Sequence, residues 1–140
     1  MDEAEVLLIG PDKALMLARV RPGTFDYDIL AEELAAYLAN PDNLLAVARV
    51  DEEIVAFASG TIIRHPDKLP SLFINEVGCH EDFRGKKLGQ AVSRLLMEEG
   101  ADLGAAGTWV ATEEDNASAR ALYAGLGARI TRGIVIYSWE

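Results

Sequence analysis

Cysteine occurs once in the 140 residues, at Cys79, so no disulfide can close within the chain and a reducing compartment is the simplest home. Long apolar runs are also missing: none approaches the ~20 residues that span a bilayer. The acidic start Met1-Asp2-Glu3-Ala4-Glu5 lacks the basic and then apolar order of a secretory signal. A cytoplasmic protein without a membrane partner is the expectation. Positive charge is scarce, with 13 Lys and Arg against 23 Asp and Glu and a net charge of −10. That argues against nucleic acid as a partner, because phosphate backbones demand a concentrated cationic face. The acidity serves solubility and equally suits a cationic substrate drawn in by the protein's field. No cluster has metal-ligand spacing, so no metal is expected. Repeats, low-complexity tracts and linkers are absent. At 140 residues, one domain over 1–140 is expected.

What is present reads as alternating strands and helices. Glu5 to Ile9 predicts a short strand and Lys13 to Arg19 a short helix closed by Val20-Arg21-Pro22-Gly23. Asp28 is a candidate N-cap for a helix whose apolar face is Leu30, Leu34, Tyr37 and Leu38, stopped at Asn40-Pro41-Asp42-Asn43. Leu44 to Val50 and Ile54 to Ile63 form a hairpin around a polar turn. Leu72 to Cys79 is a central strand, apolar apart from Asn75 and Glu76. A helix over Leu88 to Leu103 follows, then a buried-type strand Gly107 to Ala111, and a helix Asn116 to Leu126 ended by Gly127. The tail Ala128 to Trp139 predicts two short strands around Arg132-Gly133. This order means a mixed α/β domain, largely antiparallel, with one parallel crossover beside which ligands tend to bind.

Chemistry concentrates where that crossover begins. The strand ending at Cys79 runs through His80-Glu81-Asp82-Phe83 into Arg84-Gly85-Lys86-Lys87-Leu88-Gly89 and the long helix. A helix start leaves N–H groups unpaired and carries partial positive charge, so it can hold a phosphate. Gly85 and Gly89 permit tight turns and close approach. Arg84, Lys86 and Lys87 invert the local charge of an acidic chain. A basic helix start with no ligand is the plainer reading of the loop taken alone.

This loop resembles the acetyl-CoA loop of the GNAT superfamily of N-acetyltransferases, Arg/Gln-x-x-Gly-x-Gly/Ala. Arg84, Leu88 and Gly89 match, Gly85 fits the common Arg-Gly opening, and Lys87 stands where the middle glycine is usual. Downstream, the stretch from Asn116 to Ala128 is similar to the family's Asn-x-x-Ala-x-x-Leu-Tyr-x-x-x-Gly-Phe signature, with Ala128 in place of the aromatic. The resemblance covers Leu44 to the C-terminus, and the stretch around Glu76 and the ending Val135–Trp139 resemble the aminoglycoside 3-N-acetyltransferase branch.

What the resemblance implies is a GNAT-type twisted, mostly antiparallel sheet with helices on both faces, using acetyl-CoA as cosubstrate. Val77, Gly78 and Cys79 would pair with the pantetheine arm. Arg84, Gly85, Lys86, Lys87, Leu88 and Gly89 would take the pyrophosphate, with Asn116, Ala119 and Tyr123 completing the cofactor contacts. Tyr123 is the candidate general acid for the CoA thiolate, since a phenol can donate a proton; its plainer role is packing between helix and sheet. Glu76 is the candidate base or cation holder, against a structural carboxylate paired with a loop or an arginine. Asn116 either touches the cofactor or caps its helix. Cys79 reads as a small buried residue and not a nucleophile, and His65 and His80 as solvated. Glu113, Glu114 and Asp115 read as a solvated cluster. The acceptor would be a small cationic amine, such as an aminoglycoside or polyamine. A protein or peptide N-terminus and a non-catalytic acyl-CoA sensor are the alternatives. Ile134, Ile136 and Trp139 could form a homodimer interface.

Overall fold

Side chains alternate along a strand, and the apolar run near residue 45 therefore serves two cores at once. In the computed structural model, which describes residues 3–139, that run belongs to one sheet. Its strands are β1 (Glu5–Leu8), β2 (Asn43–Val50), β3 (Glu53–Ile63), β4 (Ser71–Cys79) and β5 (Thr108–Val110), in that spatial order. The first four pair antiparallel, and β5 joins β4 in parallel. Helices are α1 (Ala31–Ala39), α2 (Leu88–Asp102) and α3 (Ala117–Gly125), with 3-10 turns at Pro11–Ala18 and Glu81–Phe83.

Leu44, Ala46 and Ala48 of β2 face the core that α2 covers with Leu88, Val92 and Leu96. Burying each such side chain is worth about 1.5–3 kcal/mol. Leu45 and Val47 face the opposite core, closed by Leu17 and by Leu38 of α1. Helices thus lie on both faces of the sheet, with one parallel crossover through α2, as the fold class requires. Contact is close: a Cβ added at Gly100 of α2 would lie 2.9 Å from Leu72 Cδ2.

Several expectations need correction. The first helical stretch is a 3-10 segment, because the chain is drawn at Val20 into a parallel bridge with Ile54. Asp28 does not cap α1. That helix starts at Ala31 with Leu30 at its N-cap, since the preceding loop is committed to the sheet through Phe25, whose ring stacks on Phe57 at 3.8 Å. The hairpin turn is two residues, Asp51 and Glu52, with φ of 50° and 66°, the left-handed pair that matches strand twist. The strand read as buried over 107–111 shortens to Thr108–Val110, and Trp109 is 49% exposed. The two tail strands do not form: residues 129–139 carry no strand. A strand exists only when a neighbour takes its N–H and C=O groups, and the outer edge of β5 has none.

Tyr37 ties α1 to the sheet. Its hydroxyl lies 2.6 Å from the Leu44 carbonyl oxygen and 3.0 Å from that of Gly60, and donates there. Burial pushes this phenol up to about 12. The folded state therefore holds the proton more tightly than the unfolded chain, whose tyrosine titrates near 10. The stabilisation is intact below about pH 10 and is lost as pH rises toward about 12. Tyr37→Phe should cost about 1 kcal/mol at neutral pH. In urea titrations at graded pH it should also make the alkaline loss of stability shallower than in wild type.

Candidate active site

The site is organised by an irregularity in β4. Ser59 pairs with Glu76 but Gly60 pairs with Ile74, so Asn75 is an extra residue in β4. Such a bulge re-aims side chains. Here Asn75 and Glu76, adjacent in sequence, are both exposed and both line one cleft of about 570 Å³. Asp26, Asp28, Glu33, Tyr37 and Ser59 share its wall. The Glu76 carboxylate makes no hydrogen bond or ion pair among the described residues, which sets aside the structural-pair reading. A second cavity of about 650 Å³, lined by Ala14, Leu17, Ala18 and Leu34 among others, adjoins across the loop from Phe25 to Ile29.

Beyond the bulge, β4 loses one neighbour. Pairing with β5 covers only Leu72, Phe73 and Ile74, so the outer edge at Val77, Gly78 and Cys79 has no strand beside it. The inner side is closed tightly. A Cβ at Gly78 would lie 2.5 Å from the Phe57 ring and 2.7 Å from the Thr24 carbonyl oxygen, so only glycine fits under that loop. The Cys79 thiol donates to the His80 carbonyl oxygen at 3.6 Å, and burial pushes its pKa up. It stays a neutral thiol, unsuited to nucleophilic attack. His80 is not solvated as expected. Its side chain is 13% exposed and caps the Glu81–Phe83 turn, Nδ1 accepting from the Asp82 N–H at 3.1 Å.

The chain then passes through Arg84 and turns left-handed at Gly85 (φ 80°) and again at Lys87 (φ 60°, ψ 25°), the N-cap of α2. None of the six amide N–H groups from Gly85 to Gln90 has a protein hydrogen-bond partner. Free amides at a helix start form an anion cradle. Arg84, Lys86 and Lys87 surround it, all exposed. Lys86 Nζ sits 5.1 Å over the Phe83 ring, and Arg21 Cζ lies 5.3 Å from the same centroid. Arg21 is also paired with Glu53 at 3.2 Å and Asp82 at 3.1 Å. Arg84 and Lys87 have no ion pair among the described residues. The lysine at the usual glycine position is thus accommodated by a left-handed backbone, and the amides stay open.

α3 packs over this helix start. A Cβ at Gly89 would lie 3.5 Å from Leu122 and 3.8 Å from Val77, so β4, α2 and α3 converge there. A Cβ at Gly125 would meet the Gln90 side chain at 2.6 Å. Asn116 caps α3, its Oδ1 accepting from the Ala119 N–H at 3.0 Å. Tyr123, half-buried, has its phenol pKa raised by burial and makes no side-chain hydrogen bond. It is therefore a protonated donor at neutral pH. Glu113, Glu114 and Asp115 are exposed, and Glu114 accepts from Arg120 and pairs with Arg132. His65 lies in the loop between β3 and β4, and no ion pair or hydrogen bond engages its side chain among the described residues. Residue reasoning missed Arg21, Phe83 and the carboxylates Asp26, Asp28 and Glu33. Of these only Asp28 carried a sequence reading, as a helix cap, and Glu33 lies within the first turn of α1.

Residues 14–128 match the acetyltransferase (GNAT) family, and the chain belongs to that family. It is an acyltransferase of the acetyl-CoA-dependent class. No curated protein sequence matches it. Solved structures share the fold. An aminoglycoside acetyltransferase from an uncultured soil metagenomic sample, in complex with sisomicin, superposes with a TM-score of 0.84 at 12% identity, covering 98% of this chain and 95% of that one. Aminoglycoside N-acetyltransferase AAC(6')-Iy, bound to a CoA bisubstrate analogue, gives 0.79 at 16% identity over 99% of both chains. A ribosomal-protein-alanine N-acetyltransferase from Brucella melitensis biovar Abortus 2308 gives 0.74 at 18%, over 98% of this chain and 100% of that one. Among the described residues no helix is long and apolar enough to cross a membrane.

Lys87 provides a test of the loop. A non-glycine left-handed residue costs about 1–2 kcal/mol, part of which glycine returns through unfolded-state entropy. Lys87→Gly should raise stability by about 0.5–1 kcal/mol in urea unfolding. Lys87→Val, with a β-branched side chain in the same conformation, should lower it by about 1–2 kcal/mol.

Proposed function

We propose that this protein moves an acetyl group from acetyl-CoA by direct transfer to a primary amine of a small cationic molecule, aminoglycoside-like or polyamine-like. It does so as one domain over residues 1–140, in the cytoplasm, and as a homodimer. One observation carries the reading. The bulge at Asn75 sets an unpaired Glu76 carboxylate in an acid-lined cleft, on the same strand whose free edge leads to the open amides of Gly85–Gln90. An amine site in the middle of β4 and a polyphosphate site beyond its end are then joined by an unpaired backbone edge that suits a pantetheine arm.

Each residue then has a defined task. Arg84, Gly85, Lys86, Lys87, Leu88 and Gly89 hold the pyrophosphate through amides and cations. Val77, Gly78 and Cys79 offer the backbone edge, and Asn116 and Ala119 flank it from α3. Acetyl-CoA, when bound, supplies an acetyl group activated as a thioester. Glu76 holds the incoming ammonium and takes a proton from its nitrogen, directly or through water. The Tyr123 hydroxyl, kept protonated by burial, donates to the departing sulfur. Likeness to aminoglycoside acetyltransferases in fold and the acidic cleft favour the cationic acceptor. The adjoining apolar cavity favours a second reading, a peptide N-terminus with a small side chain. Rates on kanamycin-type aminoglycosides, spermidine and alanine-starting peptides separate the two.

Acetyl-CoA at a hundred times its dissociation constant should stabilise the fold by about 2.7 kcal/mol. For a chain of this size that raises the unfolding midpoint by roughly 5–15 °C. Arg84→Ala should shrink the shift, and an unmoved midpoint at millimolar acetyl-CoA would sink the reading.

The proton tasks have separate signatures. Glu76→Gln should lower kcat/KM about 10²–10⁴-fold across its pH profile. Tyr123→Phe should lower kcat at saturating substrate while leaving the acetyl-CoA thermal shift in place. Full turnover by Tyr123→Phe rejects the acid role, and an unchanged profile for Glu76→Gln rejects the base.

A further inference from the structure

We infer that Tyr37 is a positioning residue for the transfer step: by engaging the Ser59 hydroxyl it keeps that hydroxyl off Glu76, so that the carboxylate meets the amine unoccupied. The inference rests on the reading of Glu76 as the group that holds and deprotonates the acceptor. Its first support is a proximity that goes unused. Ser59 and Glu76 are direct partners across β3 and β4, and both line the acid cleft. The Cβ atoms of such a pair stand about 4.5–5.5 Å apart, a span that a serine hydroxyl and a glutamate carboxylate close without backbone movement. A hydroxyl ordinarily favours an ionised acceptor, because charge-assisted hydrogen bonds are roughly twice as strong as neutral ones. Yet no hydrogen bond to the Glu76 carboxylate is formed among the described residues.

The second support is where the hydroxyl goes instead. Ser59 hydrogen-bonds to Tyr37. The Tyr37 proton is already committed, since its oxygen lies 2.6 Å from the Leu44 carbonyl oxygen and 3.0 Å from that of Gly60. Carbonyl oxygens only accept, so the phenol donates to them and its oxygen accepts from Ser59. A serine hydroxyl carries a single hydrogen, and directing it to Tyr37 leaves none for Glu76. Burial pushes the phenol up to about 12, with the Glu76 charge raising it as well, as expected of side chains that share one wall. Tyr37 thus stays neutral at physiological pH and keeps both of its bonds.

The third support is that Tyr37 also draws in Asn43, the other neutral donor that β2 and β3 bring to the cleft. Asn43 Nδ2 donates to the Tyr37 carbonyl oxygen at 3.1 Å, and its Oδ1 accepts from Thr61 at 3.0 Å. One residue of α1 therefore engages both. The consequence is chemical. A hydrogen bond donated to a carboxylate stabilises its charged form and fills a lone pair that an amine needs. A released Ser59 hydroxyl would weaken Glu76 twice, as base and as cation holder.

Tyr37→Phe keeps the ring and removes the phenol oxygen, which releases Ser59. In a crystal of Tyr37→Phe, Ser59 Oγ should lie within about 3.0 Å of a Glu76 carboxylate oxygen, a contact that wild type lacks. Assayed well below its unfolding midpoint with acetyl-CoA and either spermidine or kanamycin, Tyr37→Phe should lower kcat/KM for the amine about 10–100-fold. Its thermal shift with acetyl-CoA should persist. Adding Ser59→Ala should restore most of the lost rate, because alanine has nothing to donate to Glu76. A purely structural Tyr37 would move the unfolding midpoint and leave Ser59→Ala nothing to rescue. Ser59 turned away from Glu76 in the Tyr37→Phe crystal, or no recovery on adding Ser59→Ala, overturns the inference and leaves the Glu76 reading standing. Full activity of Glu76→Gln overturns the base reading, and the inference with it. If wild type acetylates neither amine, the crystal comparison alone decides.

Discussion

Everything functional here depends on β4 being paired along one edge and abandoned along the other. β3 accompanies it from Ser71 to Cys79, while β5 leaves after Ile74. The continuous pairing gives the strand rigidity, and the deeply buried Leu72 and Ile74 anchor its first half. The missing partner gives the second half unspent backbone hydrogen-bonding capacity, which is costly to bury and therefore must face water or a ligand. The bulge falls at the junction of the two regimes. It lets Ile74 point into the core while Asn75 and Glu76 point into the cleft, a change of face that regular alternation forbids.

Charge follows the same geometry. A chain of net charge −10 places Arg84, Lys86 and Lys87 at the C-terminal end of β4 and Asp26, Asp28, Glu33 and Glu76 around its middle. Cationic and anionic side chains thus occupy separate places, one beyond the end of β4 and one around its middle. Phe83 lies beside the cationic loop. Its ring carries Lys86 on one contact and Arg21 on another, and Arg21 is already engaged with Glu53 and Asp82. Glu53 and Asp82 are thereby paired with Arg21, and Arg84 and Lys87 make no ion pair among the described residues.

Much of this was legible because it is local. Periodicity located α2 and the β2–β3 hairpin to within a residue or two, and the cationic, glycine-bearing character of the loop from Arg84 to Gly89 is plain in its composition. Glu76 was legible as an acidic residue in an apolar strand. Its partner in meaning, the Asn75 bulge, was not, since a register shift is a property of two strands and no single-strand pattern encodes it. Asp28 misled for a related reason. It has the chemistry of a helix cap, but Phe25 stacking on Phe57 holds the loop down and delays the helix to Ala31, leaving the aspartate to line the cleft.

The tail makes the sharpest case. Ile134, Val135, Ile136 and Tyr137 have every local attribute of a strand, and the fold of a single chain leaves them without one. Propensity expresses a fit to a pleated, half-covered surface, so it is realised only when that surface is present. In β2 and β3 the surface is supplied on both sides by neighbours in sequence. At β5 the same chain supplies an edge and an arm but does not join them. An unmet local preference beside an unmet edge is itself information. It marks a segment whose local preference and whose place in the fold disagree.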